Sequence, residues 1–241
     1  MKLRVDLHSH TNLDPDHSPR GDGTVTYSYL DALDVAKKEG IDVLSFTHHR
    51  KIIFTKTMVA QAKKRGILLL SGVEAVIEGK DVILINPTTD KIFTFEQLAT
   101  ERRNNPNLFV LAPHPFYPST HSLGLQLLSN IKLFDAIEYC HFYTSWMNIF
   151  NWIAVWVANS NAKSIVGTSD SHHLQTFGLT STIIECKNTS SFPSSSQVIL
   201  ALKKPSSCKV KTRPISFSYF LQVVCNVTRI SGFFKNSKNR K

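Results

Sequence analysis

At 241 residues the chain fits one large α/β domain with enough core to need no disulfide staples, two small domains being the less economical division. A hydrophobic fraction of 42% is ordinary for a soluble globular protein. No uninterrupted run of about 18 apolar residues reads as a membrane span, because the nearest, Trp146 to Ala158, carries Asn148 and Asn151 and reads as a buried helix. The net charge of +10 is concentrated: no acidic residue follows Glu185, while 11 lysines and arginines do, leaving the first 186 residues with 17 basic and 18 acidic groups.

In chain order, the apolar pattern predicts a strand at 2–7, a helix at 27–39, a strand at 42–46 and a helix at 56–65. A strand at 67–76, a helix at 94–103, a strand at 108–112 and a helix at 122–130 follow. Strands at 134–139, 164–168 and 179–184 and helices at 146–159 and 194–203 complete the series. Strands alternating with helices are the βαβ pattern of a parallel sheet. Seven strands suit a closed (β/α) barrel better than an open sheet, with the doubly wound sheet as the alternative. Gly40 and Gly66 are placed to end the first two helices in the left-handed conformation. The Ser-rich stretch "KNTSSFPSSS" at 187–196 reads as a linker, dividing a barrel at 1–186 from final helices and a basic tail at 187–241.

The ionisable residues gather where these strands end. The first strand runs into "DLHSHT", in which His8 and His10 share a face while Ser9 points away. The second ends in His48 and His49, the third carries Glu74, and the fourth ends at His114. The fifth leads to His141, and the sixth to Asp170 and His172. In an α/β barrel the C-terminal rim of the strands is where the active site is built. A set of His, Asp and Glu without thiolate suits zinc, manganese or iron, and its size exceeds what one ion needs. Cys140, Cys186, Cys208 and Cys225 show no C-x-x-C spacing, so they read as reduced and structural rather than as a zinc knuckle or redox pair.

The motifs "DLHSHT", "GIDVLSFTHH", "GVE", "PHP" and "SDSH", in this order and spacing, resemble the polymerase and histidinol phosphatase (PHP) superfamily over about residues 1–185. That resemblance implies a distorted TIM-like (β/α)7 barrel holding two or three divalent ions, zinc, manganese or iron, that hydrolyse phosphoesters. It implies that His8 and His10 share one ion with Asp170, that Glu74 bridges to a second held by His114 and His141, and that Asp16, His49 and His172 serve a third. Asp14, His17 and Asp22 compete with Asp16 in the same loop. Where the family most often has Thr-Asp-His, this chain has Thr47, His48 and His49, so His48 would orient a neighbouring ligand only as a neutral tautomer. Glu74, Asp170 and His172 are the expected catalytic groups, and Arg20 and Arg50 the expected phosphate contacts.

The segment 214–234 carries apolar residues at near-helical spacing ahead of "KNSKNRK". It reads first as a closing helix, and secondly as a basic helix for nucleic acid or a membrane surface. The expected substrate is a phosphorylated small molecule or nucleotide, with a nuclease or a catalytically weakened metal-binding barrel as alternatives. The first residues read as a strand rather than a secretory leader, so a cytoplasmic location is the expectation.

Overall fold

A computed structural model describes residues 1–15, 25–186, 192–221 and 223. Asp16, His17, Arg20 and Asp22, Cys225 and most of the final apolar segment lie outside the described residues; 217–221, its first part, is helical. Nine strands form one sheet: β1 (Lys2–Asp6), β2 (Val43–Phe46), β3 (Leu68–Ile77), β4 (Lys80–Ile85), β5 (Phe109–Ala112), β6 (Ala136–Cys140), β7 (Ser164–Thr168), β8 (Thr180–Glu185) and β9 (Cys208–Thr212). The helices are α1 (Tyr29–Glu39), α2 (Lys56–Lys64), α3 (Phe95–Asn104), α4 (Gln126–Ser129), α5 (Ile149–Ser160) and α6 (Ser195–Leu202).

The sheet runs β7-β6-β5-β4-β3-β2-β1-β8-β9. The pairs β1–β2, β2–β3, β5–β6 and β6–β7 are parallel, whereas β4 and β8 run antiparallel to both neighbours. The two ends of the sheet then meet: Thr182 of β8 donates its hydroxyl to the Gly167 carbonyl of β7 at 2.9 Å, and the Ser9 and Ser171 backbones bridge. Gly167 permits this approach, since a Cβ there would stand 2.8 Å from Val210 Cγ1 of β9 and 2.9 Å from the Ser181 carbonyl. The result is the expected distorted barrel, nearly closed.

Each strand and helix predicted between residues 2 and 203 has a counterpart, and two strands are additional. β4 returns from β3 through Glu78 and Gly79, with φ of 50° and 77°, the twisted two-residue turn of a hairpin. β9 pairs only with β8 in the ladder, an edge strand with exposed Lys209 and Lys211. The helix expected at 122–130 is shorter, because Gly124 at φ 52° breaks its first turn. α5 corrects the buried-helix reading: Asn151, Ala154, Val157 and Ala158 face inward, but Trp152 and Trp156 are exposed.

Alternation in the strands splits the apolar side chains between two faces. Phe109 and Leu111 join one cluster with Leu3, Val5, Val43, Leu70, Ile83 and Val166, whereas Val110 and Ala112 pack outward with α3 and α5 residues such as Leu98 and Ala154. α1 and α2 cover Leu44, Phe46 and Leu69 in a third cluster. Val198, Ile199 and Leu202 of α6 join the first cluster beside Leu3 and Phe109, which open their strands. α6 thus plugs the N-terminal end of the barrel and leaves the C-terminal rim for polar residues. Capping boxes at Ser28, Thr94 and Ser194 begin α1, α3 and α6, and Gly40 (φ 70°) ends α1. Cys140, Cys186 and Cys208 are free thiols.

Candidate metal centre

His8 and His10 follow the end of β1 and face the same side, as the alternation requires, while Ser9 turns away and donates to the Ser45 carbonyl at 3.0 Å. Both imidazoles present Nε2 to one carboxylate oxygen: Glu74 Oε2 lies 3.5 Å from each, and His49 Nε2 lies 3.1 Å from the same atom. The other oxygen, Oε1, lies 3.5 Å from His114 Nε2. Asp170 Oδ1 sits 3.2 Å from His8 Nε2 and 3.5 Å from His10 Nε2. His172 stacks on His10 with ring centroids 4.3 Å apart.

The chemistry of these atoms fits a metal better than a hydrogen-bond network. His8 Nε2 and His10 Nε2 are buried and make no hydrogen bond of acceptable geometry, although carboxylate oxygens stand nearby. Two ligands of a tetrahedral ion with bonds of about 2.1 Å are about 3.4 Å apart, the separation seen here. Three sets have donor atoms within 4.8 Å of one another: His8, His10 and Glu74; His10, His49 and His172; and Glu74, Asp81 and His114. His10 and Glu74 each belong to two sets, so the sets form one connected cluster.

The other ring nitrogens of His8, His10 and His49 are held by carboxylates. Glu138 Oε1 lies 2.8 Å from His8 Nδ1, and Asp14 Oδ2 lies 2.7 Å from His10 Nδ1 and 2.9 Å from His49 Nδ1. Such partners fix ring orientation and leave Nε2 as the ligand atom. Glu138 also accepts from the Thr168 hydroxyl and, at 2.5 Å, from the His114 backbone N–H. Asp6 accepts from the Ser169 N–H at 3.0 Å, and burial pushes its carboxyl up to about 6.

Opposed charges set the protonation of the cluster. Burial alone would raise the Glu74 carboxyl, but facing His49 and His8 holds it well below the usual carboxylate range. Asp170 is held low in the same way, against its burial, by His8 and His10. Burial works to lower His10, yet its bond to Asp14 and the facing carboxylates of Asp170 and Glu74 outweigh this and raise it to about 9. His114 likewise rises to about 9 against burial, through its bond to Glu74. His114 and Asp170 adopt φ of 28° and 40°, a conformation costly for side chains with a Cβ and concentrated at functional sites.

Several expected residues are placed differently. His141 is buried at the end of β6 with Nδ1 lacking a hydrogen bond, and burial lowers it to about 4, but it is outside the three converging sets. His48 accepts from or donates to Thr11 Oγ1 through Nε2 at 2.7 Å, and burial lowers it to about 4, so it is a neutral imidazole paired with a hydroxyl rather than with a ligand. Arg50 follows His49 at φ 58° with its N–H on the Glu74 carbonyl at 2.8 Å. Asp16 and Arg20 lie outside the described residues. Asp14, which the sequence offers as a rival to Asp16, holds two imidazoles, while Asp81 and Glu138 are not singled out by the sequence. The available signal for Glu138 was an acidic residue inside the apolar strand "AIEYC".

No family model and no curated protein sequence matches the chain. Among solved structures, PsfC from Pseudomonas syringae PB-5123 is similar with a TM-score of 0.66 and 18% identity, over 96% of this chain and 99% of that one. The lesion-specific endonuclease EndoQ from Pyrococcus furiosus has a TM-score of 0.59 and 16% identity, over 87% of this chain and 58% of that one. A candidate metal-dependent phosphoesterase from Bifidobacterium adolescentis has a TM-score of 0.51 and 14% identity, over 70% of this chain and 87% of that one. At these identities the likeness establishes the fold. Among the described residues no helix is long and apolar enough to cross a membrane.

Proposed function

We propose that the chain is a metal-dependent phosphoesterase of the PHP type. The observation that carries this reading is the division of Glu74: one carboxylate oxygen faces His8, His10 and His49, and the other faces His114, the arrangement of a carboxylate bridging two ions. His8, His10 and Asp170 would hold one ion, Glu74 and His114 a second, and His49 and His172 a third beside His10. Divalent ions in such a site supply a nucleophile at neutral pH and neutralise charge on phosphoryl oxygens. The phosphoesterase and endonuclease of similar fold support hydrolysis of a phosphoester bond.

The chain's own residues do the rest. Asp14 and Glu138 orient three imidazoles, which lowers the reorganisation needed when substrate binds. In the overall reaction a water oxygen bonds to phosphorus, the ester P–O bond breaks and the alcohol leaves with a proton. His172 and Asp170 stand side by side, with 3.6 Å between Nδ1 and Oδ1, and whichever of the two is not engaged by an ion would deliver that proton. A nuclease is the second reading, favoured by the 11 basic residues after Glu185 and by an EndoQ structure of similar fold bound to duplex DNA.

The test is metal analysis of the purified chain, then hydrolysis of p-nitrophenyl phosphate and bis(p-nitrophenyl) phosphate with Mn²⁺ or Zn²⁺. Turnover should vanish on chelation and in Asp170→Ala, with the variant still folded by circular dichroism. Turnover that survives both would overturn the assignment.

A further inference from the structure

Beside the centre a cleft of about 440 Å³ is lined by Pro15, His49, Arg50, Lys51, Lys91 and Phe93, with Asp90. His49 belongs to both, so an occupant of the cleft touches the wall of the metal cluster. Lys51 and Lys91 against Asp90 leave the lining positively charged, and that carboxylate is engaged: Asp90 Oδ2 accepts the Ile52 N–H at 3.3 Å, tying the two walls together. Phe93 is 60% exposed, yet its backbone is fixed on both sides. Its N–H donates to Gln97 Oε1 at 2.7 Å, within the cap of α3, and its carbonyl accepts the Glu78 N–H at 2.9 Å. An aromatic ring held on a rigid frame but left uncovered is a preformed stacking surface.

Resting on the phosphoesterase reading, we propose that this cleft seats one nucleotide of a single-stranded nucleic acid. The base stacks on Phe93, and the flanking phosphates lie against Lys51 and Lys91. The strand's phosphodiester is then delivered past His49 to the centre. Cations alone would serve any polyanion, and an exposed ring alone any apolar group. The two together beside a phosphoester site match a unit that alternates bases with phosphates.

The test uses the full-length chain with Mn²⁺ and three fluorescent probes: a deoxythymidine 10-mer, an abasic 10-mer of the same charge, and a single thymidine nucleotide. Anisotropy should rank them in that order. In Phe93→Ala the preference for the 10-mer over its abasic counterpart should fall about 5-fold or more, the scale of one lost stacking contact. In Lys51→Gln/Lys91→Gln both 10-mers should weaken together, and the slope of log affinity against log salt should shrink by about 1.4. Trp156→Ala, an exposed aromatic outside the cleft, should leave binding unchanged. Equal binding of the base-bearing and abasic 10-mers, or a Phe93→Ala preference equal to that of the parent chain, would overturn the proposal. Because binding is read without turnover, absence of hydrolysis with this preference intact would sink the phosphoesterase reading alone.

Discussion

The two halves of the metal cluster are built to different standards. On the β1–β3 side, His8, His10, His49 and Glu74 are buried, and each imidazole has a carboxylate on Nδ1. On the β5–β7 side, the side chains of His114, Asp170 and His172 are 17%, 18% and 13% exposed, and two of these residues hold positive φ. One half is prearranged by burial and second partners; the other keeps access and stores backbone strain. A site that held ions through many turnovers yet exchanged substrate and product would need both. On the proposed reading, the first half would retain metal and the second would meet the reacting phosphate.

This division is open to attack by substitution. The largest loss of metal should follow Asp14→Ala, because one carboxylate orients two imidazoles; affinity measured by competition with a chelator should drop by about 100-fold, the upper end for loss of such a partner. Glu138→Gln should cost about 10-fold in the same assay, since it serves one ligand directly, and it should lower stability to urea because three donors meet its carboxylate. His141→Asn should cost less metal than either, since the three converging sets do not include it. A loss of metal in that variant as large as in Asp14→Ala would erase the distinction between the halves.

The smallest effect is on pH dependence. His10 and His114 have folded-state pKa values raised to about 9, so in chelator their contribution to stability is fully present below about 6.5 and is lost as pH rises through 9. Ion binding must displace the same protons, so metal affinity should climb over this interval while the stability of the metal-free chain declines. Urea unfolding with chelator at pH 6.5, 8 and 9.5, paired with calorimetry in buffers of different ionisation enthalpy, measures both trends.

The residues legible in the sequence are those whose signal is local. His8 and His10 follow from a two-residue period, and Glu74, His114 and Asp170 from their position at strand ends on one rim. Glu138 is harder to see, because its function depends on a distance across the barrel: it meets His8 over a separation of 130 residues, whereas Asp14 lies 4 residues after His10 and is distant in sequence only from His49, by 35. β4 is obscured because the strand-helix alternation of a parallel sheet leaves no place for a hairpin, although "VIEGKDVILI" has two apolar runs around a Glu-Gly turn. With it Asp81 was missed. β9 was hidden by its edge position, where alternating lysines leave little apolar signal.

The β3–β4 hairpin has a consequence for motion. Glu74 is embedded in a ladder that continues through Ala75, Val76 and Ile77, and its own N–H and carbonyl are bonded to His48 and Arg50. Its amide deuterium should therefore exchange only when this side of the sheet opens as a unit, and much later than amides of the 114–124 loop. The Glu74 carboxylate is thereby carried on one of the least labile stretches of backbone, and its freedom is confined to rotation of its own side chain.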